Sequence, residues 1–160
     1  MPRQFDNPEN PRAHERTTAL EIFEGSEGKL DAFVAGVGTG GTLTGVARGL
    51  RAKGLSLRVY AVEPKASPVL SGGKAGLHGI QGLGAGFVPR VLEVAQIDEV
   101  VTVSDLDAER MTARLSREEG LYVGPSSGAN VHAAVKVASR MRSEQRVVTI
   151  LCDTGERYQS

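Results

Sequence analysis

Apolar residues crowd into a few short runs, separated by glycine-rich or charged stretches. The densest run, Leu30 to Val37 (LDAFVAGV), is nearly continuous, which suits a strand buried on both faces of a parallel sheet. Beyond Gly36, Gly38, Gly40 and Gly41, the residues Leu43, Val46, Ala47 and Leu50 recur at helical spacing. Gly54 closes that helix, and Leu57 to Val62 reads as a second strand. Strand, helix and strand make a βαβ unit with parallel pairing and a right-handed crossover. Upstream, Asn10-Pro11 reads as an N-cap and first helical position. It opens one helix to about Glu24, with Ala13, Thr17, Leu20 and Phe23 along one face. Downstream come a strand at Glu99 to Val103 and a helix opened by Ser104 with Asp107 three residues on, ending at Gly120. A short strand at Leu121 to Val123, a helix from about Ala129 to Arg142 and a last strand at Arg146 to Cys152 complete the series. The expected fold class is α/β, a mostly parallel open sheet with helices on both faces. Lys65 to Pro89 has no period. A loop this long inside a compact domain is uncommon and usually functional; the plain alternative is a mobile surface excursion.

Composition narrows the classes of function. A chain of 160 residues can form one domain. Its 19 basic residues balance 19 acidic ones, so charge makes no case for a nucleic-acid or membrane partner. The single cysteine, Cys152, excludes an internal disulfide and lies in an apolar run where a buried, inert thiol is expected. His14, His78 and His132 are scattered without ligand-type spacing, so no metal site is expected. No apolar run approaches a membrane span and no signal-peptide core is visible, which points to a soluble cytosolic protein.

The chemistry concentrates where strand turns into helix. The glycines let backbone N–H groups converge on a ligand, and the helix dipole adds a favourable field for an anion. Gly36, Gly38 and Gly41 also satisfy the dinucleotide pattern G-x-G-x-x-G, with Glu63 placed as a ribose-binding acid would be. Against a nicotinamide ligand stand the extra Gly40 and the hydroxyls of Thr39 and Thr42, a denser donor cluster suited to a terminal phosphomonoester. A second turn, Gly124-Pro125-Ser126-Ser127-Gly128, also follows a strand, where open α/β sheets bind ligands; helix capping by Ser127 is its simpler explanation. No acid, base or nucleophile stands out. Ser126 has no hydrolase partner, Glu118 and Glu119 look like a solvated helix end, and Lys29, Lys53, Lys65, Lys74 and Lys136 lie in ordinary settings.

Six segments in order carry a family resemblance: QFDNPENPRAHERTT, GVGTGGTLTG, VEPKASPVLSGGK, IQGLGAGFVP, EEGLYVGPSSGA and DTGERY. Over essentially its whole length the chain resembles the C-terminal half of the cysteine synthases (O-acetylserine sulfhydrylases), fold-type II enzymes dependent on pyridoxal 5′-phosphate. The resemblance implies that Gly38, Thr39, Gly40, Gly41 and Thr42 hold the cofactor's 5′-phosphate and that Ser126 hydrogen-bonds its pyridine nitrogen. It places Gln4 at the substrate carboxylate site and Gly82 in a loop that closes on substrate. The implied reaction eliminates acetate from O-acetylserine to an aminoacrylate, to which sulfide adds to give cysteine. Ala85-Gly86-Phe87 and Gly155-Glu156-Arg157-Tyr158 favour this subfamily over the similar cystathionine β-synthases, while Pro125 stands where many members carry an aliphatic residue.

The family's Schiff-base lysine and its Ser/Thr-Gly-Asn-Thr loop belong to an N-terminal half and do not occur here. The resemblance therefore implies a cofactor-binding C-terminal portion, inactive alone, with no catalytic residue of its own. A complementary N-terminal half or a homodimer is its expected partner. A non-catalytic cofactor-binding or partner fragment is the competing expectation. In either case an apolar sheet edge should lie exposed.

Overall fold

A computed structural model of the chain describes residues 3–158. Four strands, β1 (Ala32–Gly36), β2 (Arg58–Pro64), β3 (Glu99–Val103) and β4 (Val147–Thr149), form one parallel sheet in the order β3-β2-β1-β4. Helices α1 (Glu9–Arg16), α2 (Thr18–Gly25) and α3 (Gly41–Ala52) lie towards one face, α4 (Asp105–Glu119) and α5 (Pro125–Ala138) towards the other. The strand period of two explains the division. Phe33, Ala35, Val59 and Ala61 join Leu43, Val46, Ala47 and Leu50 of α3 in one core. Ala32, Val34, Tyr60 and Val62 join Ala108 of α4 and Ala129, Ala133 and Val137 of α5 in the other. Each fully buried Phe, Val or Leu contributes about 1.5–3 kcal/mol, so β1, buried on both faces, is the centre of the molecule.

The N-terminal helix differs from expectation. It is two helices, bent at Thr17, whose N–H and Oγ1 both donate to Ala13 O. The cause lies in α3, where Gly41, Gly45 and Gly49 form a bare stripe. A Cβ on Gly45 would come within 2.1 Å of Pro11 O, and one on Gly49 within 2.5 Å of Ala19 Cβ. Close seating on this stripe buries Pro11 and Ala19, and leaves Ala13 and Leu20 exposed, contrary to the predicted face. Pro8 rather than Asn10 is the N-cap, and Asn7 Oδ1 accepts from Glu9 N–H just ahead of the helix.

Two further boundaries move. Leu121 to Val123 is not a strand; it contributes only a bridge between Val123 and Thr154. Helix α5 begins at Pro125, not Ala129, because proline is pre-set for the first helical position, and it ends at Ala138. Ser127 is not its cap: Gly124 is, and Ser127 Oγ accepts from Cys152 N–H at 2.8 Å. By contrast α4 opens as predicted, Ser104 Oγ accepting from Asp107 N–H, and closes at Gly120 with φ +68°.

Residues 65–89 carry no regular structure, yet they are anchored. Ile80 and Leu83 are buried, Gly84 N–H donates to Val37 O at 3.0 Å, and Glu63 bonds three groups in the loop. The segment lies across the C-terminal ends of β1 and β2. At the sheet edge, Val147 and Val148 of β4 join Ile22 and Arg146 around a surface cavity of about 470 Å³.

The glycine stripe gives a test. Gly45→Ala should lower unfolding free energy in urea by about 1–3 kcal/mol, because the helix backbones must separate. Gly25→Ala, at a position with no atom within 4 Å of an added Cβ, should be neutral or stabilise by up to about 1 kcal/mol.

Candidate functional site

The C-terminal end of β1 meets the first turns of α3 and α5. Between β1 and α3 the chain turns at Gly40, whose φ of +84° is left-handed, a conformation glycine adopts without steric cost. Thr44 N–H is the first amide of α3 to bond back, to Gly40 O at 3.0 Å. Among the described residues the amides of Gly38, Thr39, Gly40 and Thr42 have no backbone acceptor, and Gly41 N–H reaches only Thr39 Oγ1 at 3.3 Å. Such a concave set of unpaired donors at a helix start is an anion cradle.

The structure brings most of the sequence-predicted residues to this cradle. Gly82 passes directly over it: a Cβ on Gly38 would lie 2.1 Å from Gly82 O. On its other side Gly82 (φ +89°) adjoins Ser126, whose Cβ would be 3.8 Å from a Cβ added there. Ser126, in the first turn of α5, is buried. Gln4 arrives by its backbone, its carbonyl accepting from Asn10 Nδ2 at 2.8 Å, while the residue itself is exposed.

Asn10 and His14 were missed as functional residues. The Asn10 amide donates one proton to Gln4 O and the other to Thr39 Oγ1 at 3.0 Å. One turn on, His14 Nε2 lies 3.2 Å from Thr42 Oγ1, and Nδ1 lies 2.9 Å from Thr18 Oγ1. These residues, four apart on one face of α1, therefore brace both threonine hydroxyls of the cradle. Burial pushes the His14 imidazole below the usual histidine range.

Other expectations are corrected. Glu63 is buried and accepts from Leu70 N–H (2.7 Å), Ser71 N–H (3.0 Å) and Ser71 Oγ (2.5 Å), so its carboxylate folds the loop and is not free for a ribose. Cys152 is exposed as a residue, because β4 ends three residues earlier. Packing around its sulfur still pushes the thiol above its ordinary range. All five lysines are exposed; Lys53 lies over the Phe23 ring and Lys29 pairs with Glu27. Among the described residues no cluster of metal-ligating side chains occurs, and no helix is long and apolar enough to cross a membrane.

The family model described as pyridoxal-phosphate dependent enzyme matches residues 1–153. A cysteine synthase of Staphylococcus aureus is 48% identical over 160 residues, covering 99% of this chain and 52% of that protein. The crystal structure of an Entamoeba histolytica cysteine synthase superposes with TM-score 0.93 at 41% identity, covering 98% of this chain and 46% of that one. That of an O-acetylserine dependent cystathionine β-synthase from Helicobacter pylori gives TM-score 0.92 at 42% identity, covering 97% and 50%. The chain spans about half the length of the curated relatives it matches.

The His14 contacts set a pH dependence. With its folded pKa lowered, the unfolded chain binds the proton more readily, so stability falls as pH drops below the ordinary histidine value of about 6.5. Melting temperature should fall more steeply from about pH 7 to about pH 5 in the wild type than in His14→Gln; parallel profiles would contradict the assignment.

Proposed function

Because the chain belongs to the pyridoxal-phosphate dependent enzyme family, we propose that it forms the cofactor-phosphate portion of a cysteine synthase. The carrying observation is the set of unpaired amides at the head of α3, facing Gly82 and close to Ser126. In this reading Gly38, Thr39, Gly40, Gly41 and Thr42 hold the 5′-phosphate. Convergent N–H donors supply the binding, since the helix dipole adds only about 0.3–1 kcal/mol. The cradle fits a terminal phosphate: any side chain at Gly38 or Gly41 would run into Gly82 or Asn10 and displace the groups that frame it.

Ser126 would hold the pyridine nitrogen through a neutral hydroxyl, which would not favour the protonated ring as a carboxylate would. Pyridoxal phosphate, when bound, supplies the electron sink for an amino acid's α-carbon, and with Ser126 that sink is a modest one suited to losing a β-substituent. The backbone at Gly82 and the segment at Gln4 bound the substrate side, and O-acetylserine and sulfide are the assigned substrates. With every lysine at the surface, the covalent anchor and α-proton base are assigned to a complementary N-terminal half, or to an assembly that includes one, in the cytoplasm. The same lysine exposure supports a second reading, a cofactor-binding or partner chain without catalysis. Ala85-Gly86-Phe87 and Gly155–Tyr158 favour the sulfhydrylase chemistry over that of the cystathionine β-synthases.

Two measurements test this. Pyridoxal phosphate titrated into the chain should bind in competition with inorganic phosphate, and borohydride should trap no lysine adduct at a unique site. Mixed with a lysine-bearing N-terminal half of a relative, the chain should release cysteine from O-acetylserine and sulfide. If the mixture is inactive while the full-length relative works, the catalytic reading fails and the non-catalytic one stands.

A further inference from the structure

Gly82 lies between the two parts of the site, its carbonyl against Gly38 of the cradle and its α-carbon beside Ser126. The residue is exposed, and among the described residues it makes no backbone hydrogen bond. Its neighbours therefore set its place. Before it, Ile80 is buried and Gly79 N–H donates to Asp105 Oδ2 at 2.6 Å. After it, Leu83 is buried and Gly84 N–H donates to Val37 O at 3.0 Å. The turn is closed across its base by His78, whose Nε2 lies 3.1 Å from Gly84 O, six residues on. The fit at Gly84 is tight. A Cβ there would be 2.6 Å from His78 Nε2 and 2.8 Å from Pro64 Cγ, and its φ is +63°.

A carbonyl oxygen only accepts, so His78 Nε2 must carry the proton and donate it. In the neutral ring Nδ1 is then a bare acceptor, and it is buried with no partner among the described residues. An unpaired buried polar atom is destabilising, so packing alone does not explain an imidazole at this point. The bond to Gly84 O does.

We propose that His78 is a positioning residue, whose Nε2–H closes the turn 78–84 and so holds the Gly82 backbone between the cradle and Ser126. It acts through Gly84 alone. The assignment rests on the reading of the cradle and Ser126 as the two ends of a pyridoxal phosphate site. In that reading the cofactor runs past Gly82, whereas inorganic phosphate needs only the amides of the cradle. Loss of the closure should therefore separate the two ligands.

The closure is tested first without ligand, by nuclear magnetic resonance of the 160-residue chain with ¹⁵N-labelled histidine. At about pH 8, where an ordinary imidazole is neutral, His78 should be in the Nε2–H form, with a coupling through the hydrogen bond to the Gly84 carbonyl. An Nδ1–H ring, or a ring averaging between the two forms, would overturn the assignment whether or not any variant folds. Positioning is tested by titrating pyridoxal 5′-phosphate, and separately inorganic phosphate, into wild type and variants. His78→Leu should weaken pyridoxal phosphate binding about fivefold and inorganic phosphate binding by no more than roughly twofold. His78→Gln, whose Nε2 donates from a similar reach, should restore most of the loss; His78→Asn, one carbon shorter, should not. Wild-type binding by His78→Leu, no rescue by His78→Gln, or equal loss of both ligands would overturn the assignment and leave the cofactor reading intact. Failure of the wild type to bind pyridoxal phosphate would overturn the cofactor reading and the positioning role with it, while the state of the His78 ring still reports whether the turn is closed.

Discussion

A helix cannot satisfy its own first amides. In this protein that general deficit sits at the head of α3, where, among the described residues, the donors of Gly38, Thr39, Gly40 and Thr42 around the left-handed turn at Gly40 have no backbone acceptor. The rest of the structure keeps those donors in place, and only the Gly41 amide reaches a side chain, Thr39 Oγ1. The bare stripe of α3 draws α1 close enough for Asn10 and His14 to engage the two threonine hydroxyls. Above, Gly82 O closes against Gly38. The outer side of α3 is held by Arg48 and Arg51, which reach Glu93, Gln96 and Asp98.

This economy has a chemical consequence. Hydroxyls, amides and glycines dominate the candidate site, a donor set suited to an anion. His14 bonds to two hydroxyls, and burial pushes its imidazole below the usual histidine range. The Glu63 carboxylate is consumed by the loop it folds.

Much of the framework was readable from periodicity, because β1 and β2 are buried strongly enough for their apolar runs to be unambiguous. The glycine turn was readable because only glycine tolerates both the positive φ and the close approaches found there. What escaped depended on tertiary partners. Asn7-Pro8 and Asn10-Pro11 present the same local helix-start signal, and only contact with Thr39 reveals that the second asparagine serves the loop. His14 looks isolated in the sequence because only the fold brings its imidazole to Thr42, 28 residues away. Pro125 was the available signal for the early start of α5, obscured by the Ser-Ser-Gly that follows it. The burial expected for Cys152 failed because the apolar run outlasts the strand. The roles of Glu63 and His78 could not be read at all, since their partners are backbone groups further along the chain.

The central claim is that the open amides at the head of α3 grip a phosphate. Nuclear magnetic resonance reads those amides one by one. Adding pyridoxal 5′-phosphate to ¹⁵N-labelled chain should move the signals of Gly38, Thr39, Gly40 and Thr42 downfield together, saturating with a single affinity, while the amides of α4 stay still. Saturable binding that leaves those four signals unmoved would contradict the account.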